Sequence, residues 1–151
     1  MTRTNKTNVG LLSLRLAIGT IFFLHGWMKL IGAREAFVQE VLNMVGWSVP
    51  EVLLWVLTFL ELLGGLALVI GAFARPAALL LTLEMITVVA LFHVRQGFFI
   101  VAVPNVPLAY GFEYHIALVG GLVCVALGGP GAWALESKLR VLAIGGRKTP
   151  S

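Results

Sequence analysis

The feature that most constrains this chain is a series of apolar runs, at residues 9–31, 50–71, 76–94 and 113–128. About 20 predominantly apolar residues in a helix, rising roughly 1.5 Å each, cross the hydrocarbon of a bilayer. Inside that hydrocarbon the backbone has no water to bond, so an apolar run must pair its own N–H and C=O groups, which a helix does. The expected fold is an all-α membrane protein built as a four-transmembrane-helix bundle. Residues 1–8 are expected to form a cytoplasmic N-terminal segment, 9–128 the membrane domain and 129–151 a basic cytoplasmic tail. Charged residues make up 12% of the chain, against about a quarter in soluble domains, which excludes a water-soluble fold. The first run is too long for a signal-peptide core and is expected to remain as a helix.

Punctuation agrees with these limits. Pro50 and Pro76 suit the first turns of helices, whereas Gly71, Gly97 and the Gly128-Gly129-Pro130-Gly131 cluster suit stops. Orientation follows from Lys and Arg in the short flanks. One side carries Arg3, Lys6, Arg75, Lys138, Arg140, Arg147 and Lys148, and the other Lys29, Arg34 and Arg95. The positive-inside rule then puts both termini in the cytoplasm of a multi-pass protein of the cell membrane, the bacterial inner membrane being the expected one. The net charge of +4 is thus a record of topology and not a sign of nucleic-acid binding. Trp27, Trp47, Tyr110 and Tyr114 fall at the outer interface and Trp133 at the inner one, where amphipathic rings settle.

The first outer connection places Phe37, Val41, Met44 and Val45 at helical spacing beside Arg34, Glu35, Gln39 and Glu40. That pattern predicts a short interfacial helix able to cover a site mouth. The second, from Gly97 to Pro104, is too apolar for a water-exposed loop and is expected to fold back over the bundle. Gly64, Gly65, Ala67, Gly71, Ala117 and Gly121 are expected to let helices approach closely. Cys124 stands alone, which rules out an internal disulfide or a C-x-x-C redox pair.

Ionisable groups inside spans are costly when they face lipid, so each is expected to be paired or to belong to a site. By helix rise, Arg15 lies roughly 9 Å, Glu84 roughly 12 Å and Glu61 roughly 14 Å from the cytoplasmic end of its span. One arginine between two carboxylates predicts a neutralised network in one layer, with a surplus carboxyl able to carry protons. A second set lies nearer the outer side, where His25 and Lys29 share a face and His93, Glu113 and His115 lie at similar depth. His25, His93 and Glu113 lead this set as proton-relay groups or hydrogen-bond partners of a quinone carbonyl. The same three are the set that would supply metal ligands, and no metal is assigned to them. Lys29, Arg95 and His115 read as groups that stabilise helix ends and snorkel to the interface.

Leu14-Arg15-Leu16, His25-Gly26-Trp27-Met28-Lys29-Leu30, Glu61 to Leu66 and Arg75-Pro76-Ala77-Ala78 follow one another in an order that resembles the DoxX family. His93 with Gly97-Phe98-Phe99, Gly111-Phe112-Glu113-Tyr114 and Gly128 to Gly131 continue the likeness. The resemblance implies a four-helix membrane protein, some of whose relatives are subunits of thiosulfate:quinone oxidoreductases or partners in membrane-bound oxidoreductase complexes. It also implies a shared polar framework of Arg15, His25, Lys29, Glu61, His93 and Glu113.

Three functions compete. The first is a membrane subunit or accessory of an oxidoreductase system that binds a quinone or similar hydrophobic ligand. The second is a transporter or channel for a proton, metal ion or small solute, which four short helices would form best as a homo-oligomer. The third is a noncatalytic scaffold for a partner enzyme. No nucleotide-binding glycine loop, nucleophile elbow or zinc-protease motif is present, so any catalysis is expected to need a partner oxidoreductase.

Overall fold

The computed structural model describes residues 3–32, 34–46, 50–101 and 109–139. Trp47, the Ala102 to Pro107 stretch and the tail residues Arg140, Arg147 and Lys148 lie outside the described residues. The elements run α1 (Arg3–Ile31), α2 (Arg34–Val45), α3 (Glu51–Ile70), α4 (Ala74–Val88), β1 (Ile100–Val101), β2 (Ala109–Tyr110) and α5 (Glu113–Gly128). A π-helical turn at Val89–His93 and a 3-10 turn at Val94–Gln96 continue α4. Among the described residues, three helical segments are long and apolar enough to cross a membrane: Thr4–Ile31, Glu51–Ile70 and Ala74–Gln96. The apolar α5 is shorter, at 16 residues.

Each long helix buries one stripe. On α1 the buried stripe runs through Leu11, Arg15, Ile18, Phe22 and Gly26, with Gly19 beside it; on α3 it runs through Leu54, Thr58, Glu61, Gly65 and Leu68, with Gly64 beside it. These steps of three and four residues are the period of one helix face. The stripes meet in a ring, with α1 against α3, α3 against α4, α4 against α5, and α5 back against α1. Ile18, Phe22, Leu68, Leu81, Leu122 and Val125 fill the middle.

The α1–α3 contact is made by backbone. A Cβ added to Gly26 would stand 2.5 Å from the Leu62 nitrogen, and one added to Gly65 would stand 2.4 Å from the Phe23 nitrogen. Gly19 is equally tight against the Gly65 carbonyl, at 2.8 Å. In lipid, helices gain nothing from hiding apolar surface from one another, so close approach at small residues supplies the attraction. On the other flank of α3, Gly64 lies against Leu81 of α4.

Between α3 and α4 the chain reverses in three residues. Gly71 adopts the left-handed conformation, with φ 72°, and its N–H and that of Ala72 both bond the Ala67 carbonyl at 2.9 and 3.0 Å. This is the capping pattern that lets glycine end a helix. Phe73 follows at φ 51°, an unusual conformation for a bulky residue, with its ring outward.

Two features differ from the sequence reading. Helix α1 begins six residues before Val9, and its polar first turns are used, because the Asn8 side chain accepts the Ala132 N–H at 3.0 Å. The second outer connection forms a small antiparallel ladder that pairs Ile100 with Tyr110 and Val101 with Ala109. It is fastened to the start of α5 by the bond from Glu113 N–H to the Phe98 carbonyl, at 3.0 Å.

Replacing Gly26 with leucine should force α1 and α3 apart and lower stability by about 1–3 kcal/mol, the usual cost of overpacking. Gly120, which has no neighbour within 4 Å of an added Cβ, should accept alanine without loss. Thermal unfolding of the two variants in the same detergent checks the contrast.

Candidate functional site

The ring encloses a cavity of about 530 Å³ between α1, α3, α4 and α5, with Phe37 of α2 on its wall. Its lining is mostly apolar, with leucine the commonest residue, yet His25, Lys29, Glu61, Glu84, His93 and His115 all face it. Leu53, Leu80 and Leu83 belong to the same wall and are exposed on the outer surface of the bundle, Leu83 by 63%. The cavity is therefore lined in part by residues that are also exposed at the surface of the bundle.

The centre of its polar lining is an ion pair. Lys29 donates to both carboxylate oxygens of Glu61, at 2.7 and 2.6 Å. Both side chains are largely buried, at 13% and 7% exposure. The Lys29 ammonium also lies 4.1 Å from the centre of the Phe37 ring, a cation–π contact that ties α2 to the bundle. The sequence reading put Lys29 at the interface as a snorkelling group. The helix register decides otherwise: with Gly26 locked on Leu62, Lys29 is carried over Glu61.

The same register dissolves the expected network of Arg15, Glu61 and Glu84. Arg15 is 1% exposed and sits at the C-terminal end of α3, where its Nε bonds the Leu68 carbonyl at 2.9 Å and its Nη2 the Val69 carbonyl at 3.4 Å. A third bond joins Nη1 to the Pro130 carbonyl. The last carbonyls of a helix have no partner within it, and here an arginine supplies one while binding α1 to the ends of α3 and α5. Depth counted from Val9 misplaced Arg15 because Val9 is not level with the end of α3, where Gly71 lies against the Arg15 guanidinium itself.

Glu84 stays with Glu61. Since Gly64 faces Leu81 in an antiparallel pair, the positions three residues back along α3 and three residues on along α4 are again level, and Glu84 is within electrostatic range of Glu61 and Lys29. It is 4% exposed, and its Oε2 has no hydrogen-bond partner among the described residues. At the opposite end from Arg15, the π-helical turn delivers His93 against His115, with ring centres 4.2 Å apart. The Nδ1 atoms of both rings are buried without a hydrogen-bond partner among the described residues. Extra-residue turns of this kind often mark functional positions in helices.

His25 lines the cavity from an exposed position. Its Nδ1 lies 2.8 Å from the Ile21 carbonyl, which can only accept, so Nδ1 carries the hydrogen and Nε2 is left for another partner. Glu113 is not on the cavity wall. Its Oε1 accepts the Ile100 N–H at 3.2 Å and holds the ladder to α5. His115 takes the place expected of Glu113, for a reason the spacing contains: Leu118, Leu122 and Val125 are the buried positions of α5, and His115 continues that face whereas Glu113 does not. Tyr114, which sequence reasoning treated as an interface anchor, also lines the cavity. Among the described residues, no three His, Cys, Asp or Glu side chains stand together as metal ligands, so His25, His93 and Glu113 do not assemble the possible metal site.

The DoxX family model matches residues 10–94. The chain belongs to the DoxX family. Its relatives include the inner membrane protein YqjF of Escherichia coli, 30% identical over 87% of this chain and 93% of YqjF. An uncharacterised protein of Haemophilus influenzae is 31% identical over 83% of this chain and 87% of its own length. No solved structure matches the chain. The DoxX match ends at His93-Val94, so Lys29, Glu61, Glu84 and His93 lie within it, while His115 lies beyond it on α5.

Substituting Lys29 with methionine should strand a buried carboxylate and destabilise the protein by about 3–5 kcal/mol. The double substitution Lys29→Met with Glu61→Gln should recover most of that loss. Unfolding the wild type, both single variants and the double variant closes the cycle, and additive losses would contradict the pairing.

Proposed function

We propose that this DoxX-family protein crosses the inner membrane four times with both termini in the cytoplasm, and binds a quinone or similar lipid-soluble carrier as a membrane subunit or accessory of an oxidoreductase system. The fourth crossing is α5, whose 16 residues rise about 24 Å and span the core with modest local thinning of the bilayer. Helix α2 lies at the outer interface and closes the cavity with Phe37. The location follows YqjF, which is named an inner membrane protein.

The observation that carries the ligand reading is the coincidence of three polar atoms without a partner among the described residues, Glu84 Oε2, His93 Nδ1 and His115 Nδ1, in residues on the wall of one largely apolar cavity. Native interiors pair their buried polar groups, and those left open are explained by a function or by a bound molecule. A quinone suits this lining because its ring and tail are apolar and its two carbonyl oxygens accept hydrogen bonds. Leu53, Leu80 and Leu83, which line the cavity and are exposed at the surface of α3 and α4, face lipid in the proposed orientation. A carrier dissolved in the bilayer thus enters sideways, without passing through water.

Decylubiquinone should quench the tryptophan fluorescence of the protein in liposomes, and His93→Ala or His115→Ala should weaken its binding about tenfold, the loss of one well-formed hydrogen bond. Glu113→Ala should leave the affinity unchanged. Equal binding by all three variants would remove the cavity from consideration as the quinone site.

A further inference from the structure

We propose that Glu84 holds its proton within the bundle and donates a hydrogen bond from Oε2 to the carbonyl oxygen of the cavity's ligand. This assignment rests on the reading of the cavity as a site for a lipid-soluble carbonyl compound.

The groups that face the cavity around Glu84 are His25 and Lys29 from α1, Glu61 from α3, His93 after α4, and Tyr114 and His115 from α5. Lys29 is the cation level with Glu84, and it is held at both oxygens of Glu61. Arg15 is committed to carbonyls at the inner end of the bundle. Lys29 and Glu61 cancel, so an ionised Glu84 would leave a net negative charge on an apolar wall inside lipid. Such a charge is retained only with a partner, and Oε2 has none among the described residues.

A protonated carboxyl is a different object, with one O–H donor to place. On α4, Thr82 and Thr87 direct their hydroxyls to the Ala78 and Leu83 carbonyls of their own helix, at 2.7 and 2.8 Å. Glu84 has no such outlet at Oε2, and its side chain faces the cavity. The group that completes it is therefore a neutral acceptor brought by the ligand. A cationic ligand would demand the ionised form and would have to settle in the layer that already holds the Lys29 ammonium.

Two measurements separate this assignment from the quinone reading. Infrared spectra of the wild type in liposomes at neutral pH should show the C=O stretch of a protonated carboxyl that Glu84→Gln removes. Decylubiquinone should bind Glu84→Gln within about threefold of the wild type, because the amide N–H still donates, and bind Glu84→Met about tenfold more weakly. Circular dichroism and gel filtration confirm that both variants are folded. Absence of the carboxyl band overturns the assignment, as does Glu84→Gln binding no better than Glu84→Met. Binding of tetraphenylphosphonium that depends on Glu84 and strengthens as protons are withdrawn also overturns it. A carboxyl band in a wild type that binds no quinone overturns the quinone reading, and the anchoring role with it, while leaving the proton on Glu84 in place.

Discussion

Everything in this bundle depends on the place where α1 and α3 touch backbone to backbone. Gly19, Gly26 and Gly65 remove the side chains that would hold the helices apart, and the resulting contact has one register. In water, apolar stripes are driven together over their whole length and small errors in register cost little. In lipid that drive is missing, and the fit of small residues chooses the alignment. That alignment takes Arg15 to the end of α3 and Lys29 to Glu61. Gly64 against Leu81 then repeats the effect on the other flank of α3, bringing Glu84 level with the pair.

The charges themselves fall into two kinds once the register is set. Arg15 and the Lys29–Glu61 pair are fully engaged, and each joins helices that are distant in sequence. Such groups stabilise the bundle against alternatives, because displacing either partner leaves an uncompensated charge in hydrocarbon. Glu84, His93 and His115 have buried atoms with no hydrogen-bond partner among the described residues and add nothing of that sort. The division between structural and functional polarity is therefore a matter of which atoms have partners, not of which residues are charged.

Much of the fold was legible in the apolar runs, since a run long enough to cross a bilayer has few other options. The bounds expected for the fourth run, 113–128, coincide with α5 because Gly111-Phe112 and Gly128-Gly129-Pro130 punctuate it sharply. The start of α1 was not legible, because Thr4 to Asn8 have no apolar pattern and are held by a contact to Ala132 from the other end of the chain. At the site, the residue types were visible and the pairings were not. Depth along a helix is a one-dimensional estimate, and it grouped Arg15 with Glu61 and Glu113 with His93. The missing information was angular: Lys29 continues the stripe of Arg15, Ile18, Phe22 and Gly26, and His115 that of Leu118, Leu122 and Val125. Reading faces before depths would have placed both on the cavity wall.

The π-helical turn at Val89–His93 sharpens what that wall is for. A regular helix through this stretch would advance each residue by about 100°, whereas an inserted residue shifts the face of all that follows it. The turn thus swings His93 onto the side of His115 while Glu84 and Met85, before it, keep their places toward α3 and the core. A wider turn also sacrifices regular hydrogen bonding in the medium where unpaired backbone is most costly. A bundle that needed only to stand would gain more from a regular helix. The irregularity is accounted for by what it accomplishes, which is to bring His93 beside the His115 imidazole of another helix, in a cavity that also holds the Glu84 carboxyl.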